Sequence, residues 1–130
     1  MSYCVVDTNV VIYYLNKVGG DDYRKYFDRI VSRGAVISVI TRIEVLSWPG
    51  YSGNLIALAD AEDLLSTLRE EPLTESVIQA SITLRRSYRL KVPDAIVAAT
   101  AQTLALPLIT RNTDDFKRIP NLVLLDPFLH

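Results

Sequence analysis

Short, uninterrupted apolar runs alternate along the chain with segments whose apolar residues recur at helical spacing. Tyr3 to Val6 is a short, apolar, β-branched run that stops at Asp7-Thr8-Asn9, residues suited to turns and caps; it predicts a buried strand feeding a helix that runs to about Asn16. Gly19-Gly20 breaks the chain, after which Tyr23, Tyr26, Phe27, Ile30 and Val31 recur at the spacing of one helical face, ending at Arg33-Gly34. Ala35 to Ile40 is a second β-branched run, and Thr41 opens a helical segment through Ile43-Glu44-Val45-Leu46 that Pro49-Gly50 stops. Leu55, Leu58, Ala61, Leu65 and Leu68 predict a long amphipathic helix closed by Pro72, and Glu75 to about Tyr88 predicts another. Pro93 sits where a first helical turn tolerates it, ahead of Asp94 to Leu104, a helix so apolar that it belongs inside the molecule. Leu106 to Ile109 and Leu122 to Leu125 predict two late strands.

Strands that alternate with helices predict an α/β fold, a three-layer α/β/α sandwich around a central, mostly parallel sheet. With no repeat, low-complexity tract or linker, residues 1–130 read as one domain. In open sheets of this kind ligands collect at the carboxyl ends of the strands, near the point where strand order reverses.

Composition narrows the chemistry. The 49% hydrophobic and 22% charged residues are ordinary globular usage, which excludes a disordered or fibrous chain. A net charge of −1 means that nucleic acid, if bound, is held by local basic patches and not by the overall field. The single cysteine, Cys4, lies in an apolar run, which excludes a disulfide framework and a thiolate zinc site and suits a reducing compartment. The only histidine, His130, is the last residue and is given no role, so Ser-His-Asp and Cys-His systems are excluded and catalysis must run on carboxylates. Without a basic N-terminal region, and with no apolar stretch of the roughly 18 residues a membrane span needs, the chain reads as soluble and cytoplasmic.

The acids fall at the predicted carboxyl edge. Asp7 follows the first strand, Glu44 begins the helix after the second, Asp94 begins the internal helix, and Asp114-Asp115 follows the strand ending at Ile109. Each has a plain structural reading: Thr41-x-x-Glu44 is a capping box, Asn112-x-x-Asp115 a near equivalent, and Asp94 suits the positive end of a helix dipole. A cap is worth about 0.5–2 kcal/mol, whereas two like charges about 4 Å apart repel by about 4 kcal/mol at an effective dielectric near 20. A clustered set therefore needs a cation. Carboxylates without histidine or cysteine are hard ligands, which points to Mg²⁺ or Mn²⁺ and to phosphate chemistry. A metal on Asp7 and Asp94, completed by Glu44 and Asp115, would polarise a scissile phosphate and activate water.

Val5-Val6-Asp7-Thr8-Asn9, Thr41-Arg42-Ile43-Glu44-Val45, Pro93-Asp94-Ala95-Ile96-Val97 and Leu108-Ile109-Thr110-Arg111-Asn112-Thr113-Asp114-Asp115-Phe116 stand in the order and approximate spacing of a PIN domain. The chain resembles that family over essentially its whole length, most closely the VapC-type toxins of bacterial toxin–antitoxin pairs. The resemblance implies an Mg²⁺- or Mn²⁺-dependent endoribonuclease with Asp7, Glu44 and Asp94 as an acidic triad and Asp115 as a fourth acid. It implies polar support from Asn9, Thr110 and Asn112, with Asp114 or Asn112 as alternatives for the inner position given to Asp115. It also implies a homodimer and a small antitoxin protein covering the groove and the site.

Arg42, Arg111, Lys117 and Arg118 flank the acids and the run Arg85-Arg86-Ser87-Tyr88-Arg89-Leu90-Lys91 precedes Asp94, so Arg42, Arg111, Arg85 and Arg86 are candidates for holding RNA phosphates, against the plainer reading of a solvated helix face. Tyr13, Tyr14 and Trp48 could stack bases, but packing in the core or at a dimer face accounts for them better. A dehalogenase-like phosphatase would need a second Asp where Asn9 stands, and a response-regulator receiver would need paired acids after the first strand. The stronger alternative is a catalytically silent PIN-like RNA- or protein-binding module, against which the complete acidic set argues.

Overall fold

The computed structural model describes residues 1–129, so the expectation for His130 lies outside the described residues. Five short strands form one wholly parallel sheet: β1 (Cys4–Val6), β2 (Ala35–Ser38), β3 (Arg69–Glu71), β4 (Leu108–Ile109) and β5 (Leu124–Leu125), in the order β3-β2-β1-β4-β5. Seven α-helices connect them among the described residues: α1 (Thr8–Leu15), α2 (Gly20–Gly34), α3 (Val39–Leu46), α4 (Leu55–Ser66), α5 (Glu75–Tyr88), α6 (Val92–Leu104) and α7 (Thr113–Phe116), with a 3₁₀ turn at Pro49–Gly53 before α4.

Strand alternation divides the core into two. In register, Cys4 pairs with Ala35, Val5 with Val36 and Leu108, and Val6 with Ile109. Successive side chains leave opposite faces of a strand. Cys4, Val6, Ile37 and Ile109 therefore pack with Val10, Tyr23, Phe27 and Leu65 from α1, α2 and α4. Val5, Val36 and Leu108 pack with Val77, Leu84 and the alanines of α6. The predicted sandwich is present, and its sheet is parallel throughout.

The structure differs from the sequence reading at four points along the chain. The strand β3 has no counterpart in the hydrophobic pattern, because Arg69-Glu70-Glu71 carries no apolar residue; it lies at the sheet edge, where charges deter unwanted pairing. Its side chains are tied to neighbours by the ion pairs Arg42–Glu70 at 2.9 Å and Arg69–Glu71 at 3.0 Å. The second strand stops at Ser38, not Ile40, because the Ser38 hydroxyl accepts the Ile40 N–H at 3.1 Å and starts α3 early. The Thr41-x-x-Glu44 capping box consequently does not form, and both residues lie inside α3. Finally, α4 is shorter than its apolar period, with Leu55 and Ile56 exposed and Leu68 beyond its end.

Gly34 ends α2 at φ +106°, and a β-carbon there would collide with the Met1 carbonyl, so the turn into β2 requires glycine. On α6, Ala95, Ala98, Ala99 and Ala101 are wholly buried, which lets the helix approach the sheet closely. Ala99→Leu should destabilise the fold by about 1–3 kcal/mol through overpacking, read as a lower urea midpoint at an unchanged slope.

Candidate active site

Strand order reverses between β1 and β4, and Asp7 and Thr110 leave the carboxyl ends of those two strands. That is the crevice where parallel sheets bind ligands. Asp7 is only 4% exposed and serves as N-cap of α1. One carboxylate oxygen accepts the Thr8 backbone N–H at 2.8 Å, and the other accepts the Thr110 hydroxyl at 2.8 Å. Thr110 is itself buried and accepts the Asn112 backbone N–H at 3.0 Å, so the start of the α7 loop is tied to the same carboxylate.

Glu44 reaches the site from the middle of α3. The Thr8 hydroxyl lies 2.7 Å from its carboxylate and 3.0 Å from the hydroxyl of Thr41, which is wholly buried. A carboxylate only accepts, so Thr8 gives its proton to Glu44, and the Thr41 hydroxyl must donate to Thr8. The chain Thr41 to Thr8 to Glu44 thus holds Glu44 from the residue next to Asp7. The residue pattern alone suggests a cap at Thr41 and no separate task for Thr8; what it lacks is the pairing of two hydroxyls 33 positions apart.

The remaining acids come from the first turns of α6 and α7. Burial raises the pKa of Asp94, and Asp115 and Glu44 raise it further, while Lys91 lowers it. Burial likewise lifts Asp7 from an ordinary 3.8 to about 6; its hydrogen bonds to Thr110 and Thr8 oppose the rise, and the charges of Asp94 and Glu44 add to it. The charges of Glu44 and Asp94 thus act on Asp7, and those of Glu44 and Asp115 act on Asp94. Asp114 lines the same open cavity as Asp94 and Asp115, but its carboxylate is engaged in an ion pair with Lys117 at 3.2 Å. Asn112 occupies the N-cap of α7 without a side-chain capping bond, so the near capping box expected there is absent. The Oδ1 of Asn9 is a buried acceptor with no hydrogen-bond partner among the described residues.

Among the described residues, no three His, Cys, Asp or Glu side chains are drawn together into a ready-made metal cage. A hard ion does not require one, since Mg²⁺ keeps several waters and binds through one or two carboxylates. The donors available at this edge are carboxylate oxygens, with the unpartnered Oδ1 of Asn9 beside Thr8, a chemistry that suits a hard divalent ion rather than a soft one.

Of the arginines proposed for RNA, Arg42 is paired with Glu70, the Arg85 Nε donates to the Leu90 carbonyl at 3.0 Å, and Arg111 lies 4.0 Å over the Phe128 ring. Arg86 is exposed on α5. Tyr14 stacks on Phe27 and Tyr13 meets Phe128 edge-on, as the packing reading expects. Trp48 is 57% exposed and touches Tyr51. Together with Ile12, Leu15 and Val45 these two rings line a mostly apolar groove of about 300 Å³ that Glu44 also borders.

The PIN domain family model matches residues 4–122. The chain is 26% identical over 125 residues to the Ribonuclease VapC of Rickettsia bellii, covering 93% of each chain. It superposes on a chain of a toxin–antitoxin complex from Klebsiella pneumoniae with a TM-score of 0.76 and 33% identity, covering 95% of this chain and 97% of that one. On VapBC2 from Rickettsia felis, solved bound to a DNA fragment from its promoter, the TM-score is 0.81 at 26% identity, covering 96% and 98%.

The pKa of Asp7 has a consequence for stability. Because the folded value lies above the ordinary one, the folded state holds the proton more tightly; stability from this group is full below about pH 3.8 and is lost as pH rises to about 6. The loss is on the order of 3 kcal/mol. Asp7→Asn should therefore be more stable than the metal-free parent at pH 7 and gain little at pH 4, as measured by urea unfolding at the two pH values. Mn²⁺ should raise the parent's melting temperature and leave that of the variant nearly unchanged. Thr41→Val leaves a buried hydroxyl without its donor and should cost about 1–3 kcal/mol, with Thr41→Ser restoring most of it in the same melts.

Proposed function

The chain belongs to the PIN domain family, and from that membership we propose that it is a VapC-like ribonuclease: an endoribonuclease that hydrolyses RNA phosphodiester bonds and is held in check by a small antitoxin protein. The observation that carries the reading is the desolvated Asp7 carboxylate, clamped by Thr8 and Thr110 at the sheet's reversal point and pressed by the charges of Glu44 and Asp94. Asp7 and Asp94 would hold a divalent ion, with Glu44 and Asp115 joining directly or through water. Mg²⁺ and Mn²⁺ both suit such oxygen donors. The chemistry such an ion supplies when bound is polarisation of the scissile phosphate and a lowered pKa for attacking water.

The chain's own residues do the positioning. Thr110 and Thr8 aim the two oxygens of Asp7, Thr8 also directs Glu44, and Asn112 steadies Thr110 through its backbone N–H. Asn9 contributes the unpaired Oδ1 as a further acceptor. No protein nucleophile or covalent intermediate is required.

The groove beside Glu44 is lined by Ile12, Leu15, Val45, Trp48 and Tyr51, a surface suited to an apolar antitoxin segment running past that acid. A homodimer would cover further exposed apolar side chains such as Ile43, Leu55 and Ile56. Among the described residues no helix is long and apolar enough to cross a membrane, and a buried free Cys4 is compatible with a cytoplasmic setting.

The test is cleavage of mixed single-stranded RNAs by antitoxin-free protein. Cleavage should need Mn²⁺ or Mg²⁺, stop in chelator, and fall about 10²-fold or more in Asp94→Asn. Equal rates in chelator, or a parental rate in that variant, would sink the assignment. RNA binding without turnover would point to the silent module.

A further inference from the structure

Basic side chains near the acids fall into two groups. Arg42, Arg85 and Arg111 are already engaged by Glu70, the Leu90 carbonyl and the Phe128 ring. Arg89, Lys91 and Arg118 are not: among the described residues, none of their side chains forms an ion pair or hydrogen bond. Yet these three line one open cavity of about 300 Å³ together with Asp94, Asp114 and Asp115. Cations and acids share this space without closing on one another, and Asp114 is already answered by Lys117.

The backbone holds the cations there. Arg89 takes the left-handed conformation at φ 54° that turns the chain out of α5, Leu90 is buried behind it, and the Arg85 bond to the Leu90 carbonyl pins the turn. Lys91 then caps α6 one turn before Asp94. Arg118 approaches from the segment after α7. Two separate chain segments thus bring unpaired guanidinium groups to the flank of the acids.

Once a divalent ion offsets Asp94 and Asp115, the cavity is left with a surplus of positive charge. Its volume is at the lower end for small-ligand sites, about 300–1,000 Å³, which suits a phosphate and its sugar but not a duplex. Guanidinium forks match phosphate oxygens in geometry as well as in charge. We propose that Arg89 and Arg118 form a subsite for a phosphodiester of single-stranded RNA adjoining the scissile one, so that the strand enters or leaves the acidic centre over the turn between α5 and α6. The subsite rests on the ribonuclease reading and assigns the path of the strand, which that reading leaves open.

The test compares two double variants with the parent, all with Asp7 intact and with Ca²⁺ in place of Mg²⁺ or Mn²⁺, so that the divalent charge is present while a short single-stranded oligoribonucleotide stays intact for the binding measurement. Arg89→Asn with Arg118→Ala removes both charges, and asparagine tolerates the left-handed backbone at position 89. Lys91 is left in place because its charge acts on Asp94. The neutral pair should weaken binding roughly ten-fold at 0.1 M salt and flatten the salt dependence by about 0.7 for each phosphate no longer neutralised. Arg89→Lys with Arg118→Lys should retain most of the affinity, and Arg33→Ala, at the amino edge of the sheet, should retain all of it. With Mg²⁺ or Mn²⁺ restored, the neutral pair should raise KM more than it lowers kcat. If the parent cleaves RNA while the neutral pair changes neither affinity nor salt slope, the subsite is wrong and the nuclease reading stands. If the parent neither binds nor cleaves RNA, both fall.

Discussion

A charged carboxylate buried in a crevice of other carboxylates is the constraint around which this molecule is arranged. Asp7 is buried at the end of the strand it follows, and each of its two oxygens accepts one hydrogen bond, from Thr8 and from Thr110, with lone pairs left over. Those bonds favour the ionised form, but burial outweighs them and leaves the group with an elevated pKa. Two well-placed hydrogen bonds therefore aim the carboxylate without making it comfortable. A fold that keeps such an arrangement gives up stability for it, which is the common state of sites organised for binding or catalysis.

The sheet explains why the acids meet. Parallel strands put every carboxyl end on one edge, and the reversal of order between β1 and β4 opens a gap between the chains that follow them. Asp7 and Thr110 close the floor of that gap. Glu44 is carried in on α3, whose start is fixed by the Ser38 cap, and its orientation is set by the Thr41 and Thr8 hydroxyls. Asp94 and Asp115 sit in the opening turns of α6 and α7, where the helix dipole favours negative charge. Packing supports this placement from behind: the alanine face of α6 draws Asp94 toward the sheet.

Around this centre the surface is of two kinds. On the α3 side a mostly apolar groove with exposed Trp48 borders Glu44. On the α6 side the cavity is charged, with unpaired cations next to Asp94 and Asp115. The two flanks thus differ in chemistry, one apolar and aromatic, the other rich in charge of both signs.

Much of this is legible in the residue order. Short continuous apolar runs and helical periods, bounded by Gly, Pro and capping residues, mark four of the five strands and the main helices, because a strand buried on both faces and a helix buried on one leave those patterns in any chain. The acids can be placed on the carboxyl edge because each follows, or nearly follows, an apolar run. Local pattern cannot reveal β3, an edge strand held by backbone pairing with charged side chains outside. Nor can it show that Thr41 lies within a helix facing Thr8, that Asp114 is paired with Lys117 while the charge of Asp115 acts on Asp94, or which arginines are already engaged. Those outcomes depend on meetings between residues far apart in sequence. The order of residues determined which elements form and which chemistry is available; only the closed tertiary arrangement decided who faces whom, since hydrogen bonds and ion pairs are settled by distance in space.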